Sequence, residues 1–188
     1  MTDKKDLVLA LEDLREDNIK KQQRGLHIIL ASVLIWLGVF LVHLSTLPII
    51  TKNLLTFCLG AFLLPLSFLF SKFLKIDFQN KTNPLSKLGL IFSLNQMLYI
   101  LIVMWVYGAL PEKMLMVYAL VFAAHLLPYG WLYRSKTYYV MSILIALAVL
   151  VLGVLRPSSF VAAFMLGAEI VFSILLAFEN KKFSSQDL

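Results

Sequence analysis

The chain has 188 residues, of which 60% are hydrophobic and only 15% charged, and its mean hydropathy is +0.84. A soluble domain carries about a quarter charged residues, so these values exclude a soluble globular protein. The net charge of +6 is not a nucleic-acid signal, because no soluble face exists on which it could cluster; surplus Lys and Arg in such a chain mark cytoplasmic loops.

Residues 1–25 come first and are strongly charged. Leu7, Leu11 and Leu14 recur at helical spacing. Glu16 with Lys20, and Asp17 with Lys21, place acid before base four residues apart, the favoured order on a helix. The segment is predicted to be a cytoplasmic amphipathic helix. Two roles stay open: a solvated lead-in that fixes topology through its basic end, or a helix that docks on a partner or on the inner mouth of the bundle. It does not read as a signal peptide, since the apolar run that follows is long enough to stay in the membrane.

Six apolar runs follow, each near the ~20 residues needed to span a bilayer. They are predicted at 26–47, 53–74, 88–110, 114–132, 138–155 and 158–178. Residues 26–178 are therefore read as one transmembrane domain, all-α, and 179–188 as a cytoplasmic tail. Fourteen Lys and Arg fall on the side of the termini and three, Lys52, Lys113 and Arg156, on the other. By the positive-inside rule both termini are cytoplasmic. The acceptor pattern "NKT" at 80–82 then faces the cytoplasm and is disregarded as a glycosylation site. Trp105 and Tyr107 are expected at the outer boundary, and Trp131, Tyr133, Tyr138 and Tyr139 at the inner one. Cys58, the single cysteine, lies in the second run, so neither an intramolecular disulfide nor a cysteine-based metal site is available.

An internal repeat emerges on shifting the chain by 63 residues. "LP" at 47–48 falls on "LP" at 110–111, and "LLP" at 63–65 on "LLP" at 126–128. Each copy is a two-span hairpin, and the last two runs form a third hairpin without the second proline. Pro65 and Pro128 are expected to kink their helices, freeing the carbonyls of Ala61 and Ala124.

Polar residues inside the runs are few and therefore informative. Glu169 lies 11 residues after Ser158, His125 lies 11 after Met114, and Asn95 and Gln96 lie 12 and 11 before Tyr107. At ~1.5 Å per residue this places all of them roughly 16–18 Å deep, near the middle of the hydrocarbon core. Tyr99 and Tyr129 sit one turn from Asn95 and His125. The six residues Asn95, Gln96, Tyr99, His125, Tyr129 and Glu169 form the candidate ligand or proton site. Glu169 is expected to face the interior and to meet His125, directly or through Asn95, Tyr99 or water. The competing reading is an interhelical clamp with no ligand. His43 and His27, nearer the two ends, read as structural. No catalytic constellation is present, and no metal or cofactor is expected.

At "NPLSKLGLIF" (83–92) and "HLLPYGWLYRSKTYYVM" (125–141) the chain resembles a family of small six-span bacterial membrane proteins of unknown function. The resemblance covers most of the membrane part. It implies a bacterial plasma-membrane origin and supplies no activity. The leading function is binding or transport of a small solute, ion or proton in the lipid bilayer. The alternative is a structural or accessory subunit, joined to a protein partner or to further copies of itself through a small-residue seam such as Ala119/Ala123 or Ala163/Gly167. No nucleic acid is involved, and an enzymatic role has no support.

Overall fold

A computed structural model describes residues 4–185. Among these the fold is all-α, with no strand. Helix α1 (Lys4–Gln22) leads through a short 3-10 turn (Gln23–Gly25) into α2 (Leu26–Leu44). Then come α3 (Ile49–Ala61), α4 (Leu63–Phe73), α5 (Pro84–Ala109), α6 (Met114–Leu132), α7 (Lys136–Leu155) and α8 (Ser158–Ser184). Helices α3 and α4 together make one span, so the described residues contain six segments long and apolar enough to cross a membrane.

The helix starts are written in the sequence. Asn83 accepts from the amide of Leu85, with Pro84 in the first turn of α5. Ser135 does the same for Tyr138 at the start of α7. The prolines behave differently from each other. The second span is interrupted at Phe62, three residues before Pro65, whereas α6 continues through Pro128. Packing accounts for the difference: α6 is held on both flanks by α5 and α7, while α4 has α2 as its main neighbour.

Helices α2, α6 and α8 form the centre. α2 packs along α8 and α4, α6 along α7 and α5, and α7 closes onto α8. Trp36 of α2 meets Tyr118 and Phe122 of α6 edge-on across the middle. α5 is peripheral: only 11% of its most apolar stretch is buried, against 44% in α8. Close approach of α6 and α7 requires Gly130, where an added methyl would stand 2.8 Å from the Tyr139 ring. Ala119 and Ala123 are spent inside the same contact, since Ser142 of α7 donates to the Ala123 carbonyl at 2.7 Å. Ala163 and Gly167 of α8 are exposed.

At the end away from the termini, two lysines close helix C-termini. Lys52 donates to the His43 carbonyl at 3.3 Å, and Lys113 to the Gly153 carbonyl at 2.7 Å. His43 is 4% exposed and bridges three helices, with Nδ1 3.0 Å from Ser158 Oγ and Nε2 3.2 Å from Thr56 Oγ1. Thr56 donates its own hydrogen to the Lys52 carbonyl, so Nε2 donates to Thr56 and Nδ1 accepts from Ser158.

At the other end α1 does not project into solvent along its whole length. Asn18, Ile19 and Gln22 are buried, while Leu7, Val8 and Leu9 remain exposed. A polar clamp holds the buried half. The Asp17 carboxylate accepts from Asn80 at 2.6 Å and from Asn83 at 2.9 Å, and pairs with Lys21 at 2.8 Å. Asn83 also donates to the Leu14 carbonyl, and Ser86 to Asn18. Arg15 lies over the Trp131 ring and donates to the Trp131 carbonyl.

These contacts hold the Asp17 carboxyl down at about 2, chiefly through Lys21, then Asn83 and Asn80, with burial working the other way. A carboxyl that titrates lower when folded stabilises fully above its ordinary value near 3.8, and that contribution fades as pH falls toward 2. The Asp17 and Lys21 side chains are 38% and 45% exposed, so solvent screening keeps the effect under about 1 kcal/mol. Hydrogen-exchange protection of α1 should therefore drop between pH 4 and pH 2 in the wild type. In Asp17→Asn it should start lower and stay flat across that window.

Candidate functional site

The candidate residues separate in space. Glu169, on α8, is 0% exposed. Its Oε2 meets the hydroxyl of Ser32 on α2, and its Oε1 has no hydrogen-bond partner among the described residues. This pair sits where α2 and α8 pack along each other. The Ser32 hydroxyl also lies 2.8 Å from the Ile29 carbonyl one turn back. A hydroxyl has one hydrogen to give. If Ser32 gives it to Ile29, Glu169 must supply the hydrogen of the shared contact as a neutral acid. If Glu169 is ionised, Ser32 must turn its hydrogen to the carboxylate. The pair therefore has two hydrogen-bonding states that differ by one proton on Glu169.

His125 and Tyr129 belong to a second group, on the face of α6 toward α5. His125 Nδ1 reaches the Phe122 carbonyl of its own helix, and its ring meets Phe122 and Tyr129 edge-on. Tyr129 donates to the Gly89 carbonyl at 2.8 Å and accepts from Ser93 at 2.7 Å. The hydrogen bonds of Glu169 and His125 run to these separate partners and not to each other. Gln96 is half-buried, whereas Asn95 and Tyr99 lie on the exposed side of α5. The shared depth read from residue counts does not become a shared chamber, because α5 sits at the edge of the bundle.

Two surface grooves lie at the end that carries the termini. One is lined by Lys4, Lys5, Val8 and Leu9, the other by residues of the α1–α2 junction and the end of α8. Neither includes Glu169.

Below Glu169, a cluster joins the turn between α1 and α2 to the rest of the fold. Gln23, Arg24 and Gly25 have φ of 45°, 53° and 70°, three successive left-handed residues. Only Gly25 takes this conformation without cost; each of the others gives up about 1–2 kcal/mol. Side chains from three helices and one turn hold the turn in place. Arg24 donates to Asn180 Oδ1 at 2.7 Å and to the Tyr133 carbonyl at 3.2 Å. Asn180 donates back to the Gln23 carbonyl at 2.8 Å. The Tyr138 hydroxyl donates to the Arg24 carbonyl at 2.8 Å, and that of Tyr133 to Gln22 Oε1 at 2.9 Å. Glu179 accepts from Ser135 at 2.6 Å, tying α8 to the α6–α7 turn.

Tyr133 and Tyr138 are thus buried, at 4% and 3% exposure, and do not anchor the boundary beside Trp131 and Tyr139, which are exposed. His27, 1% exposed, packs its ring against Phe78, and neither ring nitrogen has a partner among the described residues. Ser32 and Asn180 are the residues that sequence reasoning missed. Ser32 gave no signal, because a helical serine satisfies itself on its own backbone. Asn180 lay in a stretch read as a tail.

A bundle of six long apolar helices, with polar and charged side chains buried and hydrogen-bonded inside it, defines a multi-pass integral membrane protein. The chain belongs to a family of unknown function, DUF7010, whose family model matches residues 11–179. No curated protein and no solved structure matches it.

Proposed function

We propose that this is a bacterial plasma-membrane protein, with both termini in the cytoplasm, that binds and releases a proton at Glu169 as part of a transport-type function. One observation carries the reading: Glu169 is fully buried between α2 and α8, with one oxygen on Ser32 and the other unpartnered. An acidic side chain at mid-membrane costs ~2.5–3.5 kcal/mol on insertion scales, and such residues mark ion or proton pathways. The Ser32 hydroxyl gives the site an acceptor for the acid and a donor for the carboxylate. His125 and Tyr129 form a second polar position on the α5 side, and Asn95, Gln96 and Tyr99 extend it along the outer face of α5, where a solute would enter from the side. Residues 1–25 act as a cytoplasmic cover on the domain of residues 26–178. The repeated hairpins support a transport plan built on same-orientation copies.

Purified protein in lipid vesicles, with a pH-sensitive dye trapped inside, tests this. An imposed proton gradient should collapse faster than in protein-free vesicles. Glu169→Gln should return the rate to the protein-free level, and Ser32→Ala should slow it partially. A wild-type rate equal to that of empty vesicles, or an unaltered rate in Glu169→Gln, overturns the reading. The accessory-subunit alternative draws on the exposed Ala163 and Gly167 on α8. It predicts no flux, and a fixed partner that is lost on Gly167→Leu.

A further inference from the structure

A groove runs between the last turn of α1 and the final turns of α8. Its lining is mixed: exposed Ala177 and half-buried Phe183 give it an apolar side, Gln23, Asn180 and Ser184 a polar one, and exposed Lys20 and Lys181 its charge, while Ile19 and Leu26 close its base at 2% and 8% exposure. Its back wall is the left-handed turn, where Asn180 holds the Gln23 carbonyl. The apolar part of α8 ends near Phe178, and Lys181 and Lys182 follow within one turn. In a helix long enough to cross the bilayer, that change of composition falls at the level of the lipid headgroups. The groove therefore has apolar surface at Ala177 and Phe183 and two ammonium groups where phosphates lie.

We propose that this groove holds an anionic phospholipid, with an acyl chain along Ala177 and Phe183 and the phosphate between Lys20 and Lys181. Charge complementarity selects the occupant. Basic pockets beside membrane helices recruit acidic headgroups, whereas a zwitterionic lipid brings its own cation to the same place. Lys20 also pairs with Glu16 at 2.8 Å. That pair is solvent-exposed and therefore of the weak kind. A seated lipid would brace the turn that carries α1, because its phosphate meets Lys20 of α1 and its chain lies on Phe183, whose ring is stacked against Arg24.

The test is thermal unfolding of the full chain in a neutral detergent, followed by tryptophan fluorescence. Added phosphatidylglycerol should raise Tm by about 3 °C or more, the size expected for a ligand that binds only the folded state. Phosphatidylcholine and glycerol 3-phosphate should not. The Lys20→Gln, Lys181→Gln double variant should lose the shift, while Lys87→Gln keeps it. Ala177→Trp, which fills the apolar side and keeps both lysines, should lose it too. Should the double variant not fold, native mass spectrometry decides: bound phosphatidylglycerol on the wild type, and none on Ala177→Trp. Equal shifts with both lipids, a shift that survives Ala177→Trp, or one reproduced by glycerol 3-phosphate overturns the proposal. So does stabilisation by an apolar peptide but not by phosphatidylglycerol. None of these outcomes depends on Glu169.

Discussion

Arg24→Ala should lower stability by about 2–4 kcal/mol, with most of the loss appearing as release of α1. The guanidinium is 4% exposed and donates to Asn180 and to the Tyr133 carbonyl. Hydrogen bonds to a charged donor contribute about 1.5–3 kcal/mol each, and the acceptors left behind stay buried. Arg24→Gly removes the same contacts but relieves a left-handed backbone at φ 53°. It should cost about 1 kcal/mol less than alanine. The order alanine worse than glycine is unusual and therefore diagnostic. Unfolding in detergent gives the stabilities, and trypsin cleavage at Lys20 and Lys21 reports the release of α1. Equal losses in the two variants would show that the turn is not left-handed in solution.

The second large effect is at Glu169, where three substitutions should diverge. Lysine brings a cation to the same buried position with only the Ser32 oxygen as an acceptor. It should cost more than about 3 kcal/mol, or prevent accumulation in the membrane. Glutamine keeps a donor and an acceptor against Ser32 and should stay within about 1 kcal/mol. Leucine should be close to neutral, because Ser32 already has the Ile29 carbonyl to fall back on. A near-neutral leucine variant that has lost proton flux would mean that the carboxyl is present for chemistry rather than for stability. A loss of several kcal/mol in the leucine variant would assign Glu169 to holding α2 and α8 together. Expression level in membranes and unfolding in detergent give both answers from one set of proteins.

The spans were legible because apolar length is enough to define a membrane helix. The starts of α5 and α7 were placed too late, at 88 and 138, because the apolar runs begin inside helices that Asn83 and Ser135 cap ahead of them. The position of the polar residues was only half legible. Counting along a helix fixes depth but not direction around the axis, nor which helix stands at the edge. Asn95 and Glu169 were read at one depth, yet one lies on the exposed side of α5 and the other has no exposure at all. The same limit applied to Tyr133 and Tyr138. Their composition suits a lipid boundary, but their hydroxyls were taken up by the backbone and side chains of residues 22–24. The docking of α1 was open between two readings for a related reason. Its anchors, Asn80, Asn83 and Asn180, are far away in sequence and look like ordinary loop and tail residues.

The turn at residues 23–25 has a temporal side as well. α1 is synthesised before the spans, yet the groups that position it come later in the chain: Asn80 and Asn83 before α5, Trp131 and Tyr133 at the end of α6, and Asn180 in the last turns of α8. A helix made before the spans thus settles after them. Its docking becomes complete only after all six spans are in the membrane and the chain has been finished through Asn180. The docked position of α1 therefore depends on contacts from most of the chain, and Leu7, Val8 and Leu9 are the part of that helix left exposed among the described residues.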